Sequence, residues 1–306
     1  MHARTLAAWI VTVMFILIVA SYVGSIVARQ IVGHSGFRLA LAANAGDKFA
    51  QKKLLVAIGN SQLMDGISAD QINKQRGDIK FVNLAFNGLY SADLVAVMET
   101  FYKTCSCSIE RLYVNAGALE EEKPGTTEVQ IFLAAFNKEL LPKILDDDPS
   151  MRFSLKFLPL LHYNNEVFLR SAYYWLIGHD DQGHGNNYHF RIPKIAPSQL
   201  GGTQKKAQID VPRLVRFLAL MRENRTDLVV VVPPFHPLYV ENRIGFAGYV
   251  KQVRSELASY NVSVLDHSSG VVTRHDDFAD LIHINLEGQK TYSKYFAGHV
   301  ISRGAH

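Results

Sequence analysis

A serine and an aspartate–histidine pair are the residues of this chain whose types and spacing best suit chemistry. Ser61 stands in AIGNSQLMDG, shortly after the apolar run Leu54–Ile58, which is typical of a buried strand. Asp280 and His283 stand one helical turn apart in ADLIHINLEG, close enough for the carboxylate to hold the imidazole Nδ1. An imidazole held in that tautomer can accept a proton from a hydroxyl through Nε2. These side chains predict a nucleophilic serine with a histidine base.

Two backbone N–H groups are predicted to complete the active site formed by these side chains. Gly88 stands in NLAFNGLYSAD, where the second predicted strand should turn into a helix. Its N–H and that of Ser61 are predicted to form an oxyanion hole, which stabilises the negative charge of an acyl-transfer intermediate. Asn60, Asn87 and His236 are candidate substrate contacts at the same edge of the sheet.

Other interpretations of these residues remain open. Ser61 can instead be the N-cap of the helix that follows the strand. His267, beside Asp266, is an alternative base. The loop 179–189 is rich in histidine and aspartate, but its glycines favour a solvated loop over a metal site. We therefore predict no metal and no cofactor.

Three short blocks give the chain a resemblance to the SGNH (GDSL) hydrolase superfamily. GNSQLMDG, NLAFNGLYSAD and DLIHINLEG resemble its blocks I, II and V, in the same order, within residues 54–306. The resemblance implies that Ser61 is the nucleophile, His283 the general base and Asp280 the residue that orients this base. It also implies an oxyanion donor at Gly88.

Two positions depart from the pattern of that superfamily. Block I normally reads Gly-Asp-Ser, whereas Asn60 precedes Ser61 here. Block III normally supplies an asparagine donor after the third strand, and the matching position here lies near Ala118. Asn115 comes earlier and is expected to lie still within the strand. The resemblance therefore predicts that one oxyanion donor is missing or comes from elsewhere.

Alternating strand and helix patterns are expected to position these residues. Apolar, strand-like runs occur at Leu54–Ile58, Ile79–Phe86, Arg111–Val114, Leu228–Val232 and Val262–Leu265. Helical patterns occur at 91–104, 211–223, 245–260 and 287–300. This alternation predicts an α/β domain with a doubly wound, flavodoxin-like parallel sheet and helices on both faces. The predicted domain spans 54–306, with an insertion at about 120–210 that contains an aromatic-rich segment.

The N-terminal segment has the composition of a membrane anchor. No charged residue occurs from Leu6 to Ala28, a stretch long enough to cross a bilayer core of about 30 Å as one helix. A cleaved signal peptide is the alternative, but its apolar core is normally shorter and no clear cleavage site follows. We predict a transmembrane anchor in residues 1–28, with lipid contact through 6–28, and a connecting segment at 29–53.

Charge and cysteine content exclude some classes of function. The 306-residue chain has a formal net charge of +4 and scattered basic residues, so we predict no binding to nucleic acid. Cys105 and Cys107 lack the Cys-x-x-Cys spacing of redox motifs and have too few further metal ligands nearby. Two free thiols are predicted, with a disulfide as the alternative outside the cytoplasm.

The anchor and the resemblance together imply a task at the cell envelope. Membrane-anchored members of the superfamily transfer acyl groups to surface polymers and tend to partner a multi-spanning membrane-bound O-acyltransferase. The resemblance thus implies a serine O-acyltransferase or esterase that acts on an acylated envelope polysaccharide, or a related ester, through a Ser61 acyl-enzyme. The expected location is the cell membrane, with the domain facing the periplasm or exterior. The alternative is a catalytically impaired accessory protein that binds polymer or such a partner.

Overall fold

The structure is a computed structural model that describes residues 3–34, 49, 53–75, 80–85, 89–105, 107–120, 209–242 and 246–301. The chain divides into two compact units. Met1–Asn44 and Pro124–Asp181 belong to the first, and Ala45–Lys123 and Gln182–His306 to the second. The predicted division into anchor, connecting segment and α/β domain follows different boundaries and stays a prediction.

The N-terminal helix α1 (Ala3–His34) contains the run that was predicted to be an anchor. Large apolar side chains are exposed along it, among them Trp9, Val11, Phe15 and Ile16. No described helix reaches the combination of length and mean hydropathy required to cross a membrane. The anchor over residues 6–28 therefore stays a prediction.

Five parallel strands form one sheet in the second unit. They are β1 (Lys53–Ile58), β2 (Lys80–Asn83), β3 (Ser108–Asn115), β4 (Asp227–Val232) and β5 (Ser263–Asp266). Their order, β2-β1-β3-β4-β5, is that of a flavodoxin-like sheet. The predicted α/β class with a parallel sheet is confirmed.

Helices flank this sheet. In chain order they are α2 (Ser61–Gly66), α3 (Ala69–Gln75), α4 (Ser91–Thr104), α5 (Val211–Glu223), α6 (Pro237–Asn242), α7 (Phe246–Ala258) and α8 (Leu286–Tyr295). A π-helical turn, Phe296–Ile301, continues α8. Tyr292 and Phe296 from this last segment share one core cluster with Leu55 and Tyr113 of the sheet, so α8 covers one face. Helices α4 and α5 contact each other, and α5 also contacts β4.

The strands have apolar sequences because helices flank the sheet. After the exposed Lys53, every residue of β1 is buried, and β4 behaves in the same way after Asp227. Strands covered on both faces lose the alternation of polar and apolar residues, because both sets of side chains meet packed helices. The short apolar runs of the sequence are therefore explained by their central positions in the sheet.

The register of the strands brings chemically useful residues to one edge of the sheet. Ile58, the last residue of β1, pairs with Val114, the residue before Asn115 in β3. The chain turns away from the sheet in opposite directions after β1 and β3 in this topology, which leaves a crevice at their carboxyl ends. Ser61, which follows β1, begins α2 at this edge.

The two ends of the predicted insertion meet beside the end of β3. Glu120 forms an isolated antiparallel bridge with Ile209. The backbone N–H of Asp210 donates to the carbonyl oxygen of Leu119 at 3.0 Å. Residues 121–208, including most of the insertion and the loop 179–189, lie outside the described residues.

The prediction of two free thiols is wrong. Cys105 and Cys107 form a disulfide in the turn between α4 and β3. The turn brings their Cα atoms to 5.1 Å, within the separation that a disulfide spans. This bond lies at the start of β3, at the opposite edge of the sheet from Ser61.

Candidate active site

Ser61 is held at the crevice by a sharp turn after β1. A Cβ atom added at Gly59 would lie 2.4 Å from the Cβ of Asn115, so the two strand ends approach too closely for any side chain at Gly59. Asn60 then takes the N-cap position of α2, and its Oδ1 accepts from the N–H of Gln62 at 3.1 Å. The alternative that Ser61 is the cap is therefore wrong. The Ser61 hydroxyl stays available for another partner.

That partner is the ring of His283. The Ser61 Oγ lies 2.7 Å from Nε2 of His283, and the opposite ring nitrogen, Nδ1, lies 2.7 Å from Oδ2 of Asp280. The His283 side chain is 13% exposed, so the ring is largely shielded from solvent. The structure thus brings the three predicted side chains into one hydrogen-bonded chain.

Asp280 fixes both the ring and the backbone of its own turn. Its Oδ1 accepts from the N–H groups of Ile282 at 2.8 Å and His283 at 2.7 Å, while Oδ2 faces the imidazole. Burial raises the pKa of Asp280, but the hydrogen bond and charge interaction with His283 and the two backbone donors outweigh burial. The net pKa of Asp280 lies below its ordinary value. An ionised Asp280 favours the tautomer with a proton on Nδ1, which leaves Nε2 free to accept from Ser61.

The loop that carries this pair is held at both ends. Phe278 and Ile284 form an antiparallel bridge across it. Asn285 caps α8 by accepting from two backbone N–H groups, and its Nδ2 donates to the carbonyl oxygen of Asp276 at 2.6 Å. The Gln62 side chain donates to the carbonyl oxygen of Ile282 at 3.2 Å, which joins the serine helix to the histidine loop. These contacts explain how residues far apart in sequence keep one geometry.

One predicted oxyanion donor can be located and the other cannot. The N–H of Ser61 lies in the first turn of α2, where a helix offers no intrahelical acceptor. Gly88 and Asn87 lie outside the described residues. Their predicted roles as an oxyanion donor and a substrate contact stay predictions.

Asn115 is a candidate donor that the sequence did not reveal. It is the last residue of β3 and is fully buried. Its Oδ1 accepts from the N–H of Ala118 at 3.2 Å, whereas its Nδ2 is buried with no hydrogen-bond partner among the described residues. A buried donor without a partner costs free energy, which a ligand oxygen can recover. The available signal was an asparagine at the end of the strand beside β1, rather than its spacing within a family motif.

His236 packs against the loop that carries Asp280 and His283. The residue is 2% exposed, and its backbone N–H donates to the carbonyl oxygen of Leu281 at 3.1 Å. Its Nδ1 accepts from the N–H of Leu238, and its ring packs edge-on against Phe278. Burial, with the nearby charge of His275, lowers the pKa of His236. The His236 ring is almost inaccessible to a substrate, so the structure does not support its predicted role as a substrate contact.

His267, the alternative base, has a different partner. Its Nδ1 lies 2.9 Å from the hydroxyl of Tyr292. Burial lowers the pKa of His267 to about 4, against the opposing effect of Asp266. Its ring contacts the aromatic core of α8 rather than Ser61. Within the described ranges no cluster of three histidine, cysteine or acidic residues has a metal-binding arrangement.

Comparisons with known proteins leave the family open. No protein-family model and no curated protein matches the chain. Among solved structures, it is similar to a Bacteroides fragilis protein described as a "putative acylhydrolase", with 9% identity and a TM-score of 0.38. The similarity covers 82% of this chain and 88% of that protein. At this level it carries no argument about function, which must rest on the site.

Proposed function

We propose that the chain is a serine esterase or O-acyltransferase of the SGNH type. One observation carries the proposal: Ser61, His283 and Asp280 form a continuous chain with 2.7 Å at each link. A serine bonded to an imidazole that is oriented by a carboxylate is the arrangement of nucleophilic acyl transfer. Its position at the carboxyl ends of β1 and β3 is where sheets of this type bind ligands.

The chemistry follows from the roles of these groups. Ser61 Oγ attacks the acyl carbonyl carbon while Nε2 of His283 takes the hydroxyl proton. The oxyanion receives hydrogen bonds from the N–H of Ser61 and from Nδ2 of Asn115, and each such donor contributes about 10²–10³-fold in kcat. His283 then protonates the leaving alkoxide, which departs as an alcohol and leaves an ester on Ser61. Water or a sugar hydroxyl, deprotonated by His283, attacks this ester and restores the serine.

Asn115 weakens the case for an inactive accessory protein. That alternative depended on a missing oxyanion donor. Asn115 offers a buried amide N–H without a partner among the described residues, beside the turn that carries Ser61. The asparagine that block III normally supplies thus has a candidate replacement.

The acyl acceptor and the location belong to the same proposal. We infer an envelope polysaccharide or related ester as substrate, a membrane-bound O-acyltransferase as partner, and a domain outside the cytoplasm anchored by residues 6–28. The uncharged N-terminal run supports the anchor. The Cys105–Cys107 disulfide supports an oxidising compartment, because cytoplasmic thiols are usually kept reduced.

Hydrolysis of p-nitrophenyl acetate by the full-length protein tests the chemical part of the proposal. We expect turnover in the wild type and almost none in a folded Ser61→Ala variant. Adding an oligosaccharide and measuring acetylated sugar against free acetate separates transfer from hydrolysis. Equal turnover by wild type and Ser61→Ala would contradict the proposal.

Reporter fusions after residue 306 test the location. Alkaline phosphatase is active only outside the cytoplasm, so we expect phosphatase activity from its fusion. A second fusion, with a fluorescent protein that folds only in the cytoplasm, is the control and should stay dark. Fluorescence without phosphatase activity would place the domain in the cytoplasm and contradict the envelope assignment.

A further inference from the structure

Asn60 has an amide group that the helix cap does not use. Its Oδ1 accepts from the N–H of Gln62, which accounts for its role as the N-cap. Its Nδ2 has no hydrogen-bond partner among the described residues, and the residue is partly exposed. Asn60 directly precedes Ser61. A donor thus lies next to the nucleophile without a structural task.

Gly117 shows where this amide lies relative to Asn115. A Cβ atom added at Gly117 would lie 2.9 Å from Nδ2 of Asn60 and 2.9 Å from Oδ1 of Asn115. Atoms of the two side-chain amides therefore flank the same space beside Gly117. Oδ1 of Asn115 accepts from the N–H of Ala118, and its Nδ2 is the amide atom that lacks a partner among the described residues.

We propose that Asn60 and Asn115 form an amide pair beside Ser61, in which Nδ2 of Asn60 is a further donor to the acyl oxygen of the substrate. Gly117 is the positioning residue that leaves room for the pair. The inference rests on the proposed serine acyl transfer and adds a donor to that site. It also gives a chemical reason for the departure from Gly-Asp-Ser at this position.

The side-chain N–H of Asn60, rather than its helix cap, distinguishes it from an aspartate. Aspartate and asparagine cap helices about equally well, so the fold does not distinguish them. An aspartate carboxylate, which block I of the superfamily normally carries at this position, has no N–H to donate. Asparagine keeps the cap and supplies a donor.

Replacement of Asn60 by two other capping residues tests this role. Asn60→Asp keeps the cap and adds a charge, whereas Asn60→Ser keeps the cap without an amide. With p-nitrophenyl acetate and the full-length protein, we expect thermal unfolding to be nearly unchanged in both. We expect kcat to fall about 10²-fold in both variants, because each removes one oxyanion donor. Wild-type kcat in a folded Asn60→Asp protein would overturn the inference.

Substitutions at two glycines give an independent test of where the Asn60 amide lies. Gly117→Ala should push the ends of both amides aside and lower kcat about tenfold or more. Gly248→Ala is the matched control, because a Cβ there meets nothing within 4 Å. Equal kcat in the two variants would overturn the role of Gly117, and if Gly117→Ala does not fold, the Asn60 variants decide. Absence of Ser61-dependent turnover in the wild type would instead contradict the proposed function itself.

Discussion

Among the histidines after β5, His267 and His283 each have an aspartate nearby in sequence, yet only His283 is hydrogen-bonded to that aspartate. Asp266 directly precedes His267, but its Oδ1 accepts from the backbone N–H of Ser268 at 3.0 Å and from the Ser268 hydroxyl at 2.6 Å. Asp280, three residues before His283, bonds to the ring of that histidine. Nearness in sequence therefore does not decide which carboxylate orients which imidazole.

The surroundings of the two rings differ as much as their partners. His267 is 5% exposed and lies against Tyr292 in the core, where burial lowers its pKa to about 4. His283 lies between Ser61 and Asp280 at the crevice. A general base must reach both its substrate and its orienting group, whereas a core histidine needs only to satisfy its own polar atoms. The comparison teaches that access and a second partner separate a catalytic histidine from a structural one.

Loss of each histidine in turn should give the largest contrast. We expect His283→Gln to lower kcat about 10⁴–10⁶-fold, because the members of a triad act as a unit. His267→Gln is the control, and its kcat should stay within about threefold of wild type wherever the protein remains folded, since this ring does not touch Ser61. Turnover of p-nitrophenyl acetate and circular dichroism give the two readouts. A larger loss in folded His267→Gln than in His283→Gln would reverse the assignment.

Replacement of the two aspartates should give the same kind of contrast in kcat as replacement of the histidines, but a smaller one. Asp280→Asn keeps an oxygen for the turn but no longer favours a proton on Nδ1, so we expect kcat to fall about 10²–10⁴-fold. The matched Asp266→Asn variant should keep wild-type kcat, because Asp266 bonds to Ser268 and Arg254 instead. The same ester assay measures both. Equal kcat in both variants would remove Asp280 from the proposed mechanism.

His267 should also give the stability of the fold a pH dependence. The unfolded chain binds a proton near pH 6.5, whereas folded His267 resists protonation until about pH 4. The free energy of unfolding should therefore be fully present above pH 6.5 and fall as pH drops towards 4, by about 3 kcal/mol. Urea unfolding at several pH values measures this slope, and His267→Gln should flatten it between pH 6.5 and 4. Identical slopes in the two proteins would contradict the buried, neutral state of His267.

The smallest effect is expected at the opposite edge of the sheet. Replacing Cys105 and Cys107 together by serine opens a very short loop, so chain entropy predicts a loss of only about 1.5 kcal/mol in the free energy of unfolding. The kcat should stay within about twofold of wild type, because the disulfide lies at the amino end of β3, away from Ser61. Thermal unfolding and ester turnover check both values. A large loss of kcat in the folded variant would show coupling between the two edges.

The sequence predicted the sheet well because β1, β2 and β4 are buried after their first residue. All five apolar runs became strands, although most of their ends moved by one to three residues. Leu84 and Ala85 fall outside β2 because the Asn83 side chain accepts from the N–H of Ala85 and turns the chain. The prediction missed the first residues of β3, which begins at Ser108, because exposed Ser108 and Glu110 flank buried Ile109 and interrupt the apolar run. Burial thus fixes the middle of a strand, and side-chain hydrogen bonds fix its end.

The site was predictable where residues share a turn or stand in a short recognisable block. Asp280 and His283 share a turn, so their spacing was informative. Asn115 was assigned no role because family spacing placed the donor near Ala118, whereas the register between β1 and β3 places Asn115 beside Gly59. The pairing of Cys105 with Cys107 depended on a backbone turn that composition does not encode. Contacts between strands and turns therefore had to come from the structure.

Covalent labelling of Ser61 tests the central claim most directly. A fluorophosphonate probe reacts with a serine hydroxyl that a neighbouring base has activated, so peptide mass spectrometry after labelling identifies the nucleophile. The account predicts that the full-length wild type is labelled at Ser61, that Ser61→Ala is not labelled, and that His283→Gln is labelled much more slowly. Labelling at another serine, or equal labelling rates in wild type and His283→Gln, would contradict it.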